Sequence, residues 1–404
     1  VSTARPEALP LRLARVLDPS GLEPRWRDLD ARACGSFFQS WTWVGCRLSE
    51  RFSDPVLLTG ERDGRPVALA LCNRRAPRSL WLNETGTPGW DSIFVEHNGP
   101  LLADGDAALL APCLAALFRT PIAGERRVGS RRVVLSGVGD EVLAAARAAL
   151  GGACHLRQTR LAPTLDLTAS SGPDAYLAGL GRSTRYQLRR SARLYQASGP
   201  LRLTRADNVA AGLAWFERLV ALHQDTWSRR GKPGAFADPA IRRFHRSLIA
   251  TGLPRGEVDL LRIAAGGADV GFLYNFRWQG RVHAYQSGFY YPDNPQQKPG
   301  LTCHALAIEA YRAEGMRCYD FLAGDDRYKT SLAPDLVRLH WLELAHPGSL
   351  RGLALRGAAL RESWRNRPAQ QVAAEADGNA GAVADEFGGG AVVADGVGVD
   401  HHAG

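Results

Sequence analysis

An α+β fold, with mixed and mostly antiparallel sheets flanked by helices, is what the order of hydrophobic patterns in this chain predicts. Three observations carry that expectation. Strand-like runs at about 257–264, 268–277 and 281–290 follow one another across Gly266-Gly267 and Gln279-Gly280 turns, which is the signature of a meander. Helical stripes precede it: Val209, Leu213, Phe216, Val220 and Trp227 share one face, as do Ile241, Phe244 and Leu248. The first half of the chain repeats the same order of elements more weakly.

The elements are justified in turn by their local signals. The first half reads as a helix at about 25–50, strands near 55–62, 66–74 and 79–84, a helix at 106–118, a strand at 132–136, a helix at 139–150 and a strand at about 155–167. A helix over 182–197 follows, which Ser183 can cap and Gly199 can stop. Leu201-Arg202-Leu203-Thr204 alternates as a short strand, and Asp207 or Asn208 caps the next helix. Asp238-Pro239 starts another, ended by Gly252. After the meander, Pro299-Gly300 opens a helix that runs to Glu314; Arg317–Leu322 is a strand, 327–332 a short helix and Arg338–Leu344 a last strand. The expected organisation is a first domain over 1–168, a basic connecting helix in 169–199, a second domain over 200–347 and an extension over 348–404. From about 369 the extension is Gly/Ala/Val/Asp low complexity without period, which reads as disordered.

Composition narrows the functional classes. A 404-residue chain with 45% hydrophobic residues can bury sizeable cores. It has no run of about 18 apolar residues to span a bilayer. The N-terminal VSTARPEALPLRLARVLD interrupts any apolar signal core with Arg and Pro. A cytoplasmic location is expected. The seven cysteines (34, 46, 72, 113, 154, 303 and 318) form no CxxC or Cys/His pair at metal spacing, so reduced thiols and no metal are expected. Charge is uneven: residues 369–404 hold six acids and no Lys or Arg, so residues 1–368 carry the chain's +9 and six more, +15. Such a body attracts anions, among them nucleotides, coenzyme phosphates, tRNA and acidic glycans.

Three segments carry chemistry. In GRSTRYQLRRSARLYQASG, Arg182, Arg185, Arg189 and Arg193 fall on one stripe at about 100° per residue, with Leu188, Ala192 and Tyr195 beside them. No acid occurs from 175 to 206 to neutralise this row, and guanidinium forks chelate phosphate or carboxylate oxygens. The second segment, Gln297-Lys298-Pro299-Gly300-Leu301-Thr302, lies between a strand and a helix, and the free amides of a helix start are a seat for phosphate. The third is YDFLAGDDRYK, where a strand runs out into a loop. Here Asp320 or Asp325 orients or deprotonates an acceptor amine or hydroxyl, and Tyr328 or Lys329 stabilises an oxyanion or leaving group. The alternative is that Asp320 bonds backbone in a turn and Asp325 caps the following helix. Only Lys232, Lys298 and Lys329 among the 50 basic Lys+Arg residues are lysine. Tyr285, Gln286 and Ser287 precede this segment on a strand and line a groove or fill a sheet face. Cys303 and His304 are helix neighbours pointing about 100° apart, a poor nucleophile and base pair, and are expected in core or surface roles. Trp26, Phe37, Phe38, Trp41 and Trp43 are expected to form the core of the first half.

The order β-α-α-β-β-β-α-β-α-β resembles the GNAT acyltransferase fold. Two such halves joined by a basic helix are similar to the tandem GNAT arrangement of the FemAB-like peptidyltransferases and of the GNAT group related to the CelD protein of cellulose biosynthesis. The wording of GRSTRYQLRRSARLYQASG, RGKPGAFADP and YDFLAGDDRYK resembles the second group more closely. The resemblance is strong over roughly 172–335 and faint before it. It implies an acyltransferase that uses acetyl-CoA or another acyl-CoA as co-substrate and acylates an amine or hydroxyl of a sugar, polysaccharide precursor or related small acceptor. It places the donor pyrophosphate at Gln297, Lys298, Gly300, Leu301 and Thr302, although Thr302 stands where the family has a small residue and Pro299 lacks an amide donor. It also implies that Arg182, Arg185 and Arg189 face the substrate groove with Tyr285 and Gln286, and that Lys329 contacts substrate. Two rival implications stand beside it: an aminoacyl-tRNA-dependent peptidyltransferase, and a non-catalytic binding module that keeps the fold. No DNA partner is expected, and tRNA only under the first rival.

Overall fold

A computed structural model describes residues 9–76, 78–87, 91, 95–125, 129–169, 172–324, 327–358 and 361. Val1–Leu355 forms one compact unit and Arg356–Gly404 another. The expected disordered tail from about 369, and Asp325 with it, lie outside the described residues.

In the first half the chain forms β1 (Leu11–Arg15), α1 (Leu22–Asp30), α2 (Trp41–Arg51), β2 (Pro55–Arg62), β3 (Arg65–Ala76), β4 (Ser79–Leu82), β5 (Leu101–Leu102), α3 (Leu110–Arg119), β6 (Arg132–Val138), α4 (Asp140–Leu150) and β7 (Cys154–Asp166). Two helices follow, α5 (Pro173–Gly179) and α6 (Arg182–Gln196). The second half comprises β8 (Leu201–Arg205), α7 (Val209–Arg229), α8 (Pro239–Gly252), β9 (Val258–Ala265), β10 (Ala268–Trp278), β11 (Arg281–Phe289), α9 (Pro299–Ala313), β12 (Cys318–Asp320), α10 (Arg327–Leu332) and β13 (Asp335–Ala345). With β5 set aside, both halves run β-α-α-β-β-β-α-β-α-β.

Two local expectations are corrected. The helix foreseen over 25–50 is split into α1 and α2, because Ser40 caps α2 by accepting the Trp43 amide and the intervening chain holds a short 3₁₀ turn at Phe37–Gln39. Helix α6 starts from Gly181, and Ser183 lies inside it, accepting from Gln187 Nε2 at 3.1 Å.

All strands join one sheet in the order β1-β2-β3-β4-β6-β13-β7-β12-β11-β10-β9-β8, with β5 beside β3. Neighbours are antiparallel except for β4 with β6 and β11 with β12, one parallel pair in each half. The last strands are exchanged. β13, from the end of the second half, fills the place beside β6, and β7, from the end of the first, fills the place beside β12. β7 and β13 then pair with each other from Asp335↔Thr164 to Leu344↔Cys154.

The core follows this interleaving. Phe37 stacks on Phe276 of β10 with centroids 4.1 Å apart, and Trp43 meets Phe244, Phe276 and Tyr285. The first-half aromatics are therefore shared with the second half rather than forming a separate core. Each such ring, fully buried, contributes about 1.5–3 kcal/mol of transfer free energy, so this cluster is a principal tie between the halves.

Candidate active site

The parallel pair β11/β12 is short. Arg281, Val282 and His283 pair with Cys318, Tyr319 and Asp320, after which the strands part. β11 continues to Phe289 against β10 alone, with an irregularity between Tyr274 and Asn275 that leaves Tyr285 opposite no partner. A bulge of this kind turns a side chain off the regular alternation. Gly288 allows α7 to lie against the parted strand, since a Cβ there would stand 2.5 Å from the Leu219 carbonyl oxygen.

Between the parted strands lies a cavity of about 560 Å³. Its wall takes Tyr285, Gln286 and Ser287 from β11, His304 from α9, Phe321–Gly324 from the loop after β12, and Tyr328 and Lys329 from α10. His223, Trp227, Arg230 and Lys232 close it from the α7 side, while Glu96 and Arg160 enter from the first half. The structure thus brings together four of the residues singled out in the sequence, Tyr285, Gln286, Tyr328 and Lys329.

The loop after β12 is held at every turn. Leu322 sits at φ +58°, a left-handed conformation uncommon for a bulky side chain, and its amide donates to Asp320 Oδ1 at 2.8 Å. The Ala323 amide donates to Glu96 Oε2 at 2.7 Å, and Lys329 Nζ donates to the carbonyls of Leu322 and Ala323 at 3.4 and 3.3 Å.

Glu96 is not legible in the sequence. It is 1% exposed, and its Oε1 has no hydrogen-bond partner among the described residues. Burial raises its carboxyl to about 7, against the opposing pull of the Ala323 amide, His97 and Lys329. Gly137 of β6 makes its position possible: with φ +63°, it leaves room for the Val95 carbonyl where a Cβ would collide. Asn98 fixes the segment further, accepting from Asn83 Nδ2 and donating to the Leu82 carbonyl.

Asp320 requires a correction. Asp320 is not among the residues lining the cavity; its carboxylate is fully buried. Its Oδ2 lies 2.7 Å from His97 Nε2 and 3.3 Å from an Arg281 nitrogen. Burial alone would raise its pKa, but the charges of His97, His283 and Arg281 outweigh it and hold the group well below the carboxylate range. It serves the turn bond to Leu322, the alternative that the sequence left open. His304 is buried, as expected, and takes part in the cavity wall too. It shares a 2.9 Å hydrogen bond between Nδ1 and the Tyr319 hydroxyl, and stacks on Tyr328. Burial holds it neutral, down to about 3.

The two remaining predicted groups lie outside the cavity wall. Arg182 and Arg189 are exposed on α6, and Arg185 donates to the Leu177 and Ala178 carbonyls at the end of α5. Helix α6 packs across the start of α9: Ser191 Oγ accepts the Lys298 amide at 2.7 Å and shares a 2.8 Å hydrogen bond with the buried Thr302 hydroxyl. Gln297, Gly300 and Leu301 stand at this helix start, with Leu301 9% exposed. Two of the groups expected to hold a phosphate are therefore engaged by the protein itself.

One parallel pair in each of two like-ordered halves, parting in the second, is the arrangement of the tandem GNAT fold. Residues 182–330 match the family described as acetyltransferase (GNAT) domain. Solved structures share the architecture over nearly their whole length. FemX is 9% identical with a TM-score of 0.55, covering 82% of this chain and 98% of its own. L-PGS from Bacillus licheniformis is 11% identical with a TM-score of 0.51, covering 85% and 95%. The C-terminal (DUF2156) domain of a protein assigned as a lysylphosphatidylglycerol synthetase in Agrobacterium fabrum is 13% identical with a TM-score of 0.51, covering 85% and 96%. At these identities the likeness is one of fold. No curated protein matches the chain at significant similarity. Among the described residues no helix is long and apolar enough to cross a membrane.

Proposed function

We propose that the protein is an acyltransferase in which the cavity between β11 and β12 receives the activated acyl group and Glu96 takes the proton from the acceptor amine or hydroxyl. The observation that carries this is the buried Glu96 Oε1, without a partner among the described residues, in the same wall as Lys329. A carboxylate held by one backbone amide, with its second oxygen unpaired among the described residues and its side chain in the cavity wall, suits a general base. The Lys329 ammonium stands where charge develops on the acyl oxygen, and the pinned Phe321–Gly324 loop keeps both groups in register, so positioning supplies much of the rate. No covalent enzyme intermediate is needed: the acceptor atom bonds the acyl carbon, the donor leaves, and the acceptor proton passes to Glu96.

Acetyl-CoA or another acyl-CoA is the proposed donor, and a sugar, polysaccharide precursor or related small acceptor the partner. A second reading, with aminoacyl-tRNA as donor, is favoured by one observation: Ser191 already occupies the Lys298 amide and the Thr302 hydroxyl. Thermal-shift titration separates the two. Acetyl-CoA or a longer acyl-CoA raising the melting temperature supports the first. A flat response to every acyl-CoA beside a clear shift with aminoacyl-tRNA moves the donor to the second. Glu96→Gln tests the shared chemistry, because removing a general base costs about 10²–10⁴-fold in turnover. Wild-type turnover in that variant removes Glu96 from the mechanism.

A further inference from the structure

At the end of β12, three side chains from distant parts of the chain converge outside the cavity wall. His97 follows Glu96, His283 lies on β11, and Asp320 ends β12; one ligand atom of each lies within 4.8 Å of the others. His283 is 0% exposed, and neither of its ring nitrogens has a hydrogen-bond partner among the described residues. A buried imidazole with both nitrogens unpaired carries the full desolvation cost of those nitrogens, unless something else binds there.

We propose that His97, His283 and Asp320 form a binding site for a divalent first-row transition metal ion. The donor set is two imidazoles and one carboxylate, which suits Zn²⁺, Co²⁺ or Fe²⁺ and poorly suits Mg²⁺ or Ca²⁺, ions that prefer oxygen donors. Atoms within 4.8 Å of one another come within reach of a common ion at about 2.0–2.2 Å by small side-chain rotations. The carboxylate is already oriented by the Leu322 amide on Oδ1, the kind of outer hydrogen bond that fixes a metal ligand. Access exists as well. His97, Arg281 and His283 border a groove of about 1090 Å³ lined by residues of both halves, and the His97 side chain is 17% exposed. Three protein donors leave further coordination positions open toward that groove.

Arg281 holds the place in the metal's absence. Its guanidinium lies 3.3 Å from Asp320 Oδ2, but its side chain is 40% exposed and can swing into the groove when a cation arrives. Arg281 and the metal thus compete for one carboxylate, so removing the arginine must tighten metal binding.

The test uses the full chain, untagged, with His401 and His402 replaced by Ala so that the adjacent terminal imidazoles do not contribute. Chelator-treated protein is titrated with Co²⁺ by visible absorption and with Zn²⁺ by equilibrium dialysis. Expected are one ion per chain, a Co²⁺ spectrum without thiolate charge-transfer bands, at least tenfold weaker binding in His283→Phe, and several-fold tighter binding in Arg281→Ala. Phenylalanine keeps an aromatic ring at 283 beside Phe38, whose ring stands 5.5 Å from that of His283. Should His283→Phe fail to fold, Arg281→Ala at the exposed edge decides alone. No uptake of either ion, equal affinity in the two variants and wild type, or thiolate bands that place the ion on Cys34, which borders the same groove, overturns the proposal.

Discussion

Glu96 and Asp320, two buried carboxylates that each accept a hydrogen bond from an amide of one loop, show how the same group takes different roles. Asp320 faces cationic groups, whereas Glu96 is dominated by burial. Asp320→Asn is therefore expected to cost on the order of 3 kcal/mol of stability, since breaking a buried ion pair strands its partners. A fall in the urea midpoint measures this. Lys329→Arg is expected to lower turnover more than stability. A guanidinium is broader than an ammonium and would displace the loop carbonyls that Lys329 now binds; steady-state kinetics beside a melting curve checks it. Asp30 gives the pH prediction. Burial raises its carboxyl to about 7, and among the described residues only Oδ2 has a partner, the Trp41 amide. Between its unfolded value near 4 and about 7 the folded state binds more protons than the unfolded state, so its contribution to stability falls as pH rises through that window. Asp30→Asn, which keeps an acceptor for Trp41, should raise the melting temperature most at pH 8, less at pH 5 and little at pH 4 or below.

Elements whose signals are local are readable from the sequence alone. The meander β9–β11, with its glycine-containing turns, falls within a residue or two of expectation, as do α7, α8, α9 and α10, the first three with starts marked by Asn208, Asp238 and Pro299. What the sequence hides depends on distant segments. β1 is five residues long and acquires its meaning from pairing with β2. Glu96 reaches the cavity of the other half because Gly137 lets its segment lie close against β6, and no spacing pattern records that. The same holds for α6, whose cationic row is visible in the sequence while its grip on α9 is not. Two predictions belong here. Ser191→Ala should cost about 1 kcal/mol in stability, the usual worth of a hydrogen bond. If a phosphate takes the same place, it should also strengthen acyl-CoA binding, measured by calorimetry. Arg185→Ala should lower the melting temperature slightly, through the lost contacts at the end of α5, whereas Arg189→Ala on the exposed face should leave it unchanged.

The exchanged strands set the behaviour of the molecule between residues 9 and 355. Neither half is complete, since β6 needs β13 and β12 needs β7 as lateral partners. Fragments 1–168 and 169–404 expressed alone are expected to be insoluble, with an uncovered sheet edge each. Co-expressed, they should assemble, and the intact protein should melt in a single calorimetric transition with equal calorimetric and van't Hoff enthalpies. Two separate transitions would show that the halves are stable units despite the exchange. The arrangement also bears on inheritance. A duplicated gene is ordinarily free to shed or trade either copy, because each encodes a part that folds alone. Here the stretch that completes the first copy is written at the far end of the second. A recombination breakpoint between them would leave both products without a strand, so the two copies can be passed on only as a pair.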